Sequence, residues 1–250
     1  MTRVVLVLGM HRSGTSPVTR ALKCFGAELG ALAEWVGDDN RTGFHEHQGV
    51  LQLNQQLLGE LERTWDDPRP WDDTLDLFMR MHPSAGLAHD TAVRGLEHDF
   101  GDCPLVGIKE PRLCRLLPFW RPVFGALRWD VSVIEVVRHP EAVAASLFRR
   151  DKMPRTQALS LWLEYVRRGQ IDADPAWPTV TVQAEEFMRA PIPQVQRIAR
   201  ALGLVYDRAA LDSFAGEFLD PALWHPTDPK LSPTGDVATE WWLARMRATK

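Results

Sequence analysis

Residues 3–16 constrain this chain more than any other stretch. Arg3 opens a short apolar run, Val4-Val5-Leu6-Val7-Leu8, which stops at Gly9. Met10-His11-Arg12-Ser13 follow, then Gly14-Thr15-Ser16. From Ser16 the apolar spacing turns helical, with Val18, Ala21, Leu22 and Phe25 on one face. A strand, a glycine loop and a helix in that order make a cradle for a phosphate-type anion, because loop N–H groups converge and the positive end of the helix dipole faces them. Thr15 and Ser16 add hydroxyls, and Arg12 adds a forked charge suited to tetrahedral oxyanions. A tight strand–helix turn would explain the glycines. It does not explain Arg-Ser-Gly-Thr-Ser directly behind a buried strand.

The spacing nearly fits the Walker pattern, but Thr15 stands where that pattern has its lysine. ATP hydrolysis needs the lysine on the β/γ-phosphates and a magnesium site beside it. Here the cation has moved into the loop as Arg12. An anion is expected; ATP hydrolysis is not.

Two more apolar runs end in charge. Leu105-Val106-Gly107-Ile108 leads into Lys109-Glu110-Pro111-Arg112, and Val131 to Val137 leads into Arg138-His139-Pro140. Charges at the carboxyl ends of strands sit where open α/β sheets place their ligands. A helix over 141–150 puts Ser146 about two turns beyond Arg138.

Gly-x-x-Arg-Ser-Gly-Thr-Ser together with Arg138-x-Pro and Ser146 resembles the sulfotransferases that use 3′-phosphoadenosine 5′-phosphosulfate (PAPS). The resemblance covers essentially the whole chain, anchored at 9–16, 109–112 and 138–146. It implies that His11, Arg12, Ser13, Gly14, Thr15 and Ser16 hold the 5′-phosphosulfate and that Arg138 and Ser146 hold the 3′-phosphate. Bacterial relatives carry Gly-aromatic-aromatic-Glu where this chain has Gly43-Phe44-His45-Glu46, and there the carboxylate is read as the base. With a histidine in place of one aromatic, His45, Glu46 and His47 all remain open as the proton acceptor. Arg12 or Lys109 would neutralise the bridging oxygen of the leaving phosphate. No metal is implied. The resemblance also implies a sulfuryl transfer to a hydroxyl or amine of a small-molecule or glycan acceptor: a carbohydrate, a glycosylated or nucleoside natural product, a phenol or a lipid.

Two other readings share these residues. A P-loop small-molecule kinase has the same fold, but the missing lysine and the Arg138/Ser146 pair oppose it. A nucleotide-binding module without chemistry is opposed by Glu46. For Glu46 itself the plain alternative is a helix-start charge.

Two hundred and fifty residues, 45% hydrophobic and 25% charged, describe one domain, 1–250, with ample core. A net charge of −4 argues against a general nucleic-acid or anionic-membrane surface. Cys24, Cys103 and Cys114 are scattered without metal-ligand spacing, as core thiols in a reducing compartment would be. No run approaches the roughly 18 apolar residues of a membrane span, and the start of the chain does not read as a signal peptide, so a cytoplasmic protein is expected.

Strands at 4–8, 105–108, 131–137 and 179–182 alternate with helices. They predict a three-layer α/β fold, a mainly parallel sheet with helices on both faces in a P-loop-like nucleotide-binding arrangement. Further helices are expected at 16–25, from about 46, over 84–98, from 113 but bent or restarted near Pro118 and Pro122, and over 156–169, 193–202 and 207–218, with a last one around Trp241-Trp242-Leu243. Residues 64–74, with Trp65 and Trp71 among prolines and aspartates, read as a surface loop that either lines an acceptor site or seals the edge of the core. Residues 221–236, with Trp224, His225 and Lys230, loosely match a segment that the family folds over the nucleotide.

Overall fold

A computed structural model describes residues 1–33, 43–70, 74–218 and 236–248. Four strands form one sheet: β1 (Arg3–Leu8), β2 (Leu105–Lys109), β3 (Asp130–Val137) and β4 (Thr179–Gln183). All pairings are parallel and the order is β2-β1-β3-β4. The chain therefore leaves β1 in one direction for β2 and returns on its other side for β3. The carboxyl end of β1 is a topological switch point, the place where such sheets open a crevice.

Alternation along the strands builds two cores. Val4, Leu6 and Leu8 of β1 face one side with Val106, Ile108, Val131 and Val133. They meet α2 (Gln48–Glu60), α4 (Pro83–Phe100), α5 (Leu113–Ala126), α6 (Pro140–Asp151) and α7 (Arg155–Ile171). Val5 and Val7 face the other side with Ile134, Val136, Val180 and Val182, under α1 (Thr15–Ala21), α8 (Ala184–Arg189) and α9 (Pro191–Leu202). Each fully buried aliphatic side chain contributes about 1.5–3 kcal/mol. Strands covered on both faces read as apolar runs, which is why β1, β2 and β3 were visible in the sequence, whereas β4 shows itself by alternation, Val180 and Val182 buried between threonines.

The first helix is shorter than its apolar spacing suggests. α1 stops at Ala21, a 3₁₀ turn (Leu22–Phe25) follows, and Gly26 closes it in the left-handed region at φ 76°. α5 runs on through Pro118 and Pro122 as one element, so neither proline restarts it. α3 (Thr74–Met81) was not expected from the sequence. α10 (Arg208–Ser213) passes into a π-helical turn (Phe214–Phe218), and α11 (Val237–Ala248) lies where the tryptophan pair predicted a helix. Trp71, Trp224, His225 and Lys230 fall outside the described residues, as does nearly all of the 221–236 segment. Among the described residues no helix is long and apolar enough to cross a membrane.

Candidate functional site

The loop after β1 turns tightly. Gly9 lies so close to its neighbours that an added Cβ would stand 2.7 Å from the Val136 carbonyl oxygen and 2.7 Å from Thr15 Cγ2. The Ser13 N–H donates to the Met10 carbonyl at 3.1 Å. Arg12 takes a positive φ of 68°, which costs a non-glycine residue energy, and Gly14 takes 80° immediately before α1. Ser13 and Thr15 are buried. The Ser16 hydroxyl donates to the Phe44 carbonyl at 3.0 Å, tying the start of α1 to the segment that carries Glu46.

The second signature closes on this loop. Arg12 Nε donates to Ser146 Oγ on α6 at 2.8 Å, and Arg138 Nη1 donates to the Arg12 carbonyl at 3.0 Å. Arg138 itself is buried at the end of β3, which pushes its guanidinium down to about 10 against the pull of Glu185. Trp162 Nε1 donates to the Arg138 carbonyl at 3.0 Å, and Glu185 accepts from the His139 N–H at 3.0 Å. Glu185 and Glu186 lie in the first turn of α8. Arg12, Arg138 and Ser146 thus meet at the switch point from three separate elements.

The end of β2 carries a buried ion pair. Lys109 Nζ lies 3.0 Å from Glu46 Oε1, with the lysine side chain 1% exposed and the glutamate 13%. Burial pulls the Lys109 ammonium below its ordinary range while Glu46 acts to hold it up. Glu46 sits two residues before α2, outside its first turn. A short antiparallel bridge holds it there: Ala33 N donates to Glu46 O and Gln48 N to Ala31 O, both at 2.8 Å. Its carboxylate pairs with Lys109 just before the N-cap of α2.

Glu110, next along, is fully buried. Its carboxylate accepts from Asn54 Nδ2 at 2.5 Å and the Arg112 N–H at 3.0 Å, and it pairs with the Arg112 guanidinium. Asn54 accepts in turn from Trp120 Nε1 at 2.7 Å. Burial raises the Glu110 carboxyl to about 7 even with Arg112 beside it. The chain Trp120–Asn54–Glu110–Arg112 is a scaffold behind the site. It joins residues 54 and 120 to the strand end, and no local spacing signals it.

The three histidines separate. His47 caps α2: its Nδ1 accepts from the Val50 N–H at 3.2 Å and its Nε2 lies 3.2 Å from Asp99 Oδ2. Nδ1 is committed to the cap, and Nε2 faces the Asp99 carboxylate. His45 sits at a positive φ of 52°, and burial, then Lys109 and Arg20, lower its imidazole to about 4. His11 is packed against Trp65, ring centroids 4.6 Å apart, and against Tyr165 at 5.9 Å. Trp65 also carries the Arg150 guanidinium over its ring at 5.3 Å. Its loop is pinned: Tyr165 Oη donates to Trp65 O at 2.8 Å, and Asp67 accepts from Arg63 and Arg69, which hold its carboxyl well below the usual carboxylate range. Trp65 thus lies against the glycine loop.

This geometry, a parallel sheet with a glycine loop at its switch point, recurs in solved structures. The sulfotransferase domain of the Synechococcus PCC 7002 olefin synthase matches with a TM-score of 0.56 at 20% identity, covering 100% of this chain and 97% of its own. The fold is the sulfotransferase fold. The sulfotransferase domain of the curacin biosynthetic pathway matches equally, with a TM-score of 0.56 at 14% identity over 99% and 98% of the two chains. Sulfotransferase STF9 from Mycobacterium avium shares the fold with a TM-score of 0.54 at 16% identity, over 91% of this chain and 69% of its own. No protein-family model matches the sequence. No curated protein matches it significantly.

Proposed function

We propose that the chain transfers a sulfuryl group from PAPS to a hydroxyl or amine of a small-molecule or glycan acceptor. The observation that carries this reading is the meeting of Arg12, Arg138 and Ser146 beside a glycine loop that has no Walker lysine. A buried, charge-assisted pair of arginines next to a hydroxyl suits a phosphate dianion remote from the loop itself. That is what a 3′-phosphate requires and what ATP lacks.

PAPS fits the residues present. The loop N–H groups with Ser13 and Thr15 would hold the 5′-phosphosulfate, where the Gly9 backbone leaves no room for a side chain. Arg138 and Ser146 would hold the 3′-phosphate, with Arg12 spanning the two. Bound there, the donor supplies the sulfuryl group. The bond from sulfur to the bridging phosphate oxygen breaks, the bond to the acceptor oxygen or nitrogen forms, and adenosine 3′,5′-bisphosphate leaves.

The chain's own work is positioning and charge. Glu46 takes the acceptor's proton. When it does, the Lys109 ammonium loses its counter-ion, and its charge turns to the phosphate that is gaining negative charge. One pair then serves both ends of the transfer. His47 is occupied as a cap, and it is Glu46 rather than His45 that forms the ion pair with Lys109.

The direct test is incubation with labelled PAPS and acceptors from the sugar, nucleoside, phenol and lipid classes, read by mass spectrometry. Thermal shift adds a donor test. Adenosine 3′,5′-bisphosphate should raise Tm without magnesium and ATP much less; a larger, magnesium-dependent shift with ATP would favour a kinase.

A further inference from the structure

β3 carries a carboxylate where its neighbours are apolar. Val131, Val133 and Val137 face the core under α5 and α7, and Glu135 shares their face of the strand. It is 7% exposed. A glutamate inside a parallel sheet is uncommon, because burial penalises its charge unless donors meet it. Two neutral donors do: Gln170 Nε2 on α7, and Thr181 Oγ1 on β4 at 2.8 Å. The proposed transfer makes no use of this group.

The carboxylate lines a cavity. α7 ends at Ile171, and residues 172–178 lead back to the start of β4. Between that segment, the last turns of α7 and the sheet lies a space of about 460 Å³, the size of a small-ligand site. Val133, Val166, Ile171 and Trp177 line it with apolar surface, Glu135 and Gln170 with polar groups. Its inner end meets the glycine loop from behind, where the Gly9 N–H donates to Cys114 Sγ at 3.2 Å. Glu46, Lys109, Arg138 and Ser146 do not line it.

The charge of the lining selects the occupant. Among the described residues around the cavity none is Lys, Arg or His, while Glu135 and Asp174 are carboxylates. Asp174 is engaged on the outer side, where Arg121 pairs with it at 2.9 Å and the Ala176 N–H donates to it. Burial pushes the Cys114 thiol up to about 12, so it stays neutral. Glu135 is therefore the charge that an occupant meets. A carboxylate accepts up to about four hydrogen bonds, so a charged donor can join Gln170 and Thr181 there.

We propose that this cavity is a second ligand site, separate from the candidate active site, and that it takes an organic ammonium with a short aromatic or apolar body. The ammonium would sit on Glu135 and the body against Val133 and Trp177. Glu135 pairs with Thr181 and Val133 with Thr179, two residues along the same ladder, a span of about 6–7 Å. That is the reach from an amine to an aryl ring across a three-carbon chain. The site does not depend on what the glycine loop binds.

Three probes of one shape test it: 3-phenylpropylamine, 3-phenylpropan-1-ol and 3-phenylpropionate, titrated by calorimetry and nuclear magnetic resonance. Wild type should bind the amine about tenfold or more tighter than the alcohol, the worth of a charge-assisted contact, and the acid not measurably. The phenyl protons should show Overhauser contacts to the Trp177 indole and the Val133 methyls. Glu135→Gln keeps the shape and can still accept from Thr181, and it should erase the preference for the amine. Thr179→Lys, at an exposed position of the lining, should weaken the amine by setting a second ammonium beside it. Thermal melting checks that the variants fold, and the wild-type Overhauser contacts decide independently of them. Equal binding of amine and alcohol to wild type, unchanged amine affinity in folded Glu135→Gln, or contacts to other residues would each overturn the proposal. An amine affinity that falls in Glu46→Gln but not in Glu135→Gln would place the amine at the candidate active site and overturn it too.

Discussion

Arg12 Nε donates to Ser146 Oγ at 2.8 Å across 134 residues of sequence. The contact joins a loop residue to a helix residue that were read as parts of two separate phosphate signatures. It places them in one site, and Arg138 completes it through the Arg12 carbonyl.

From this contact the first prediction follows. Arg138→Ala should weaken adenosine 3′,5′-bisphosphate by the worth of a charge-assisted contact, about 1.5–3 kcal/mol. Ser146→Ala should cost less, about 0.5–1.5 kcal/mol for a neutral hydroxyl, although it also frees Arg12 to move. Titration calorimetry measures both. Wild-type affinity in the two variants would place the 3′-phosphate elsewhere.

His47 offers a prediction with the opposite outcome. Losing an N-cap costs about 0.5–2 kcal/mol, so His47→Ala should lower Tm, and His47→Asn, which can still accept from the Val50 N–H, should recover part of it. Turnover under saturating donor should stay near wild type in both. Loss of turnover without loss of stability would return His47 to the list of bases.

The sequence told much about the sheet and less about the site. Val4–Leu8 and Val131–Val137 are buried on both faces, so composition alone marks them. Arg138 and Ser146 were readable through the resemblance to the sulfotransferase signature, which sets an arginine at a strand end and a serine about two helical turns on. Asn54 to Glu110 and His11 to Trp65 were not, because each contact depends on how distant elements pack. α3 follows a proline-aspartate loop, and its eight residues gave no period long enough to separate a helix from a strand. His47 was hidden for a different reason: Ser, Thr, Asp and Asn are the residues that announce a cap.

Gly9 tests the cradle sterically. Its backbone does not need a positive φ, so only space is at stake. Gly9→Ala would drive a methyl to 2.7 Å from the Val136 carbonyl oxygen, which belongs to the backbone of β3 where it pairs with β4. The cost of such overpacking is about 1–3 kcal/mol. A fall in Tm should come with loss of the bisphosphate-induced shift. A variant that kept the full shift would show that the loop adjusts without losing its anion site.

Glu110 should leave a mark on stability against pH. Its native ionisation is raised to about 7, above that of an unfolded glutamate. The native state therefore binds more protons over that interval, and the contribution of Glu110 is lost as pH rises through about 7. His11, His45, His47 and His139, all lowered, act in the other direction: the unfolded chain binds more protons below its histidine range, so they cost stability as pH falls through about 6.5. Comparing wild type with Glu110→Gln isolates the carboxyl. The Tm advantage of wild type should shrink from pH 5 to pH 8, and a constant difference would mean that Glu110 stays ionised throughout.

The last prediction concerns the Lys109–Glu46 pair, whose two members should fail differently. Glu46→Gln keeps the shape and can still accept from the Lys109 ammonium through its amide oxygen, but it cannot hold the acceptor's proton. Turnover should fall by about 10²–10⁴-fold with donor affinity nearly unchanged. Lys109→Ala leaves a largely buried carboxylate without its cation, a change that costs about 3–5 kcal/mol when a buried pair is broken. It should therefore lower Tm as well as turnover. Lys109→Ala combined with Glu46→Gln removes the stranded charge, so Tm should recover while turnover stays low. That split between stability and rate is what a reacting ion pair produces. Recovery of both in the double variant would make the pair structural, and near-normal turnover in Glu46→Gln would move the base to another residue.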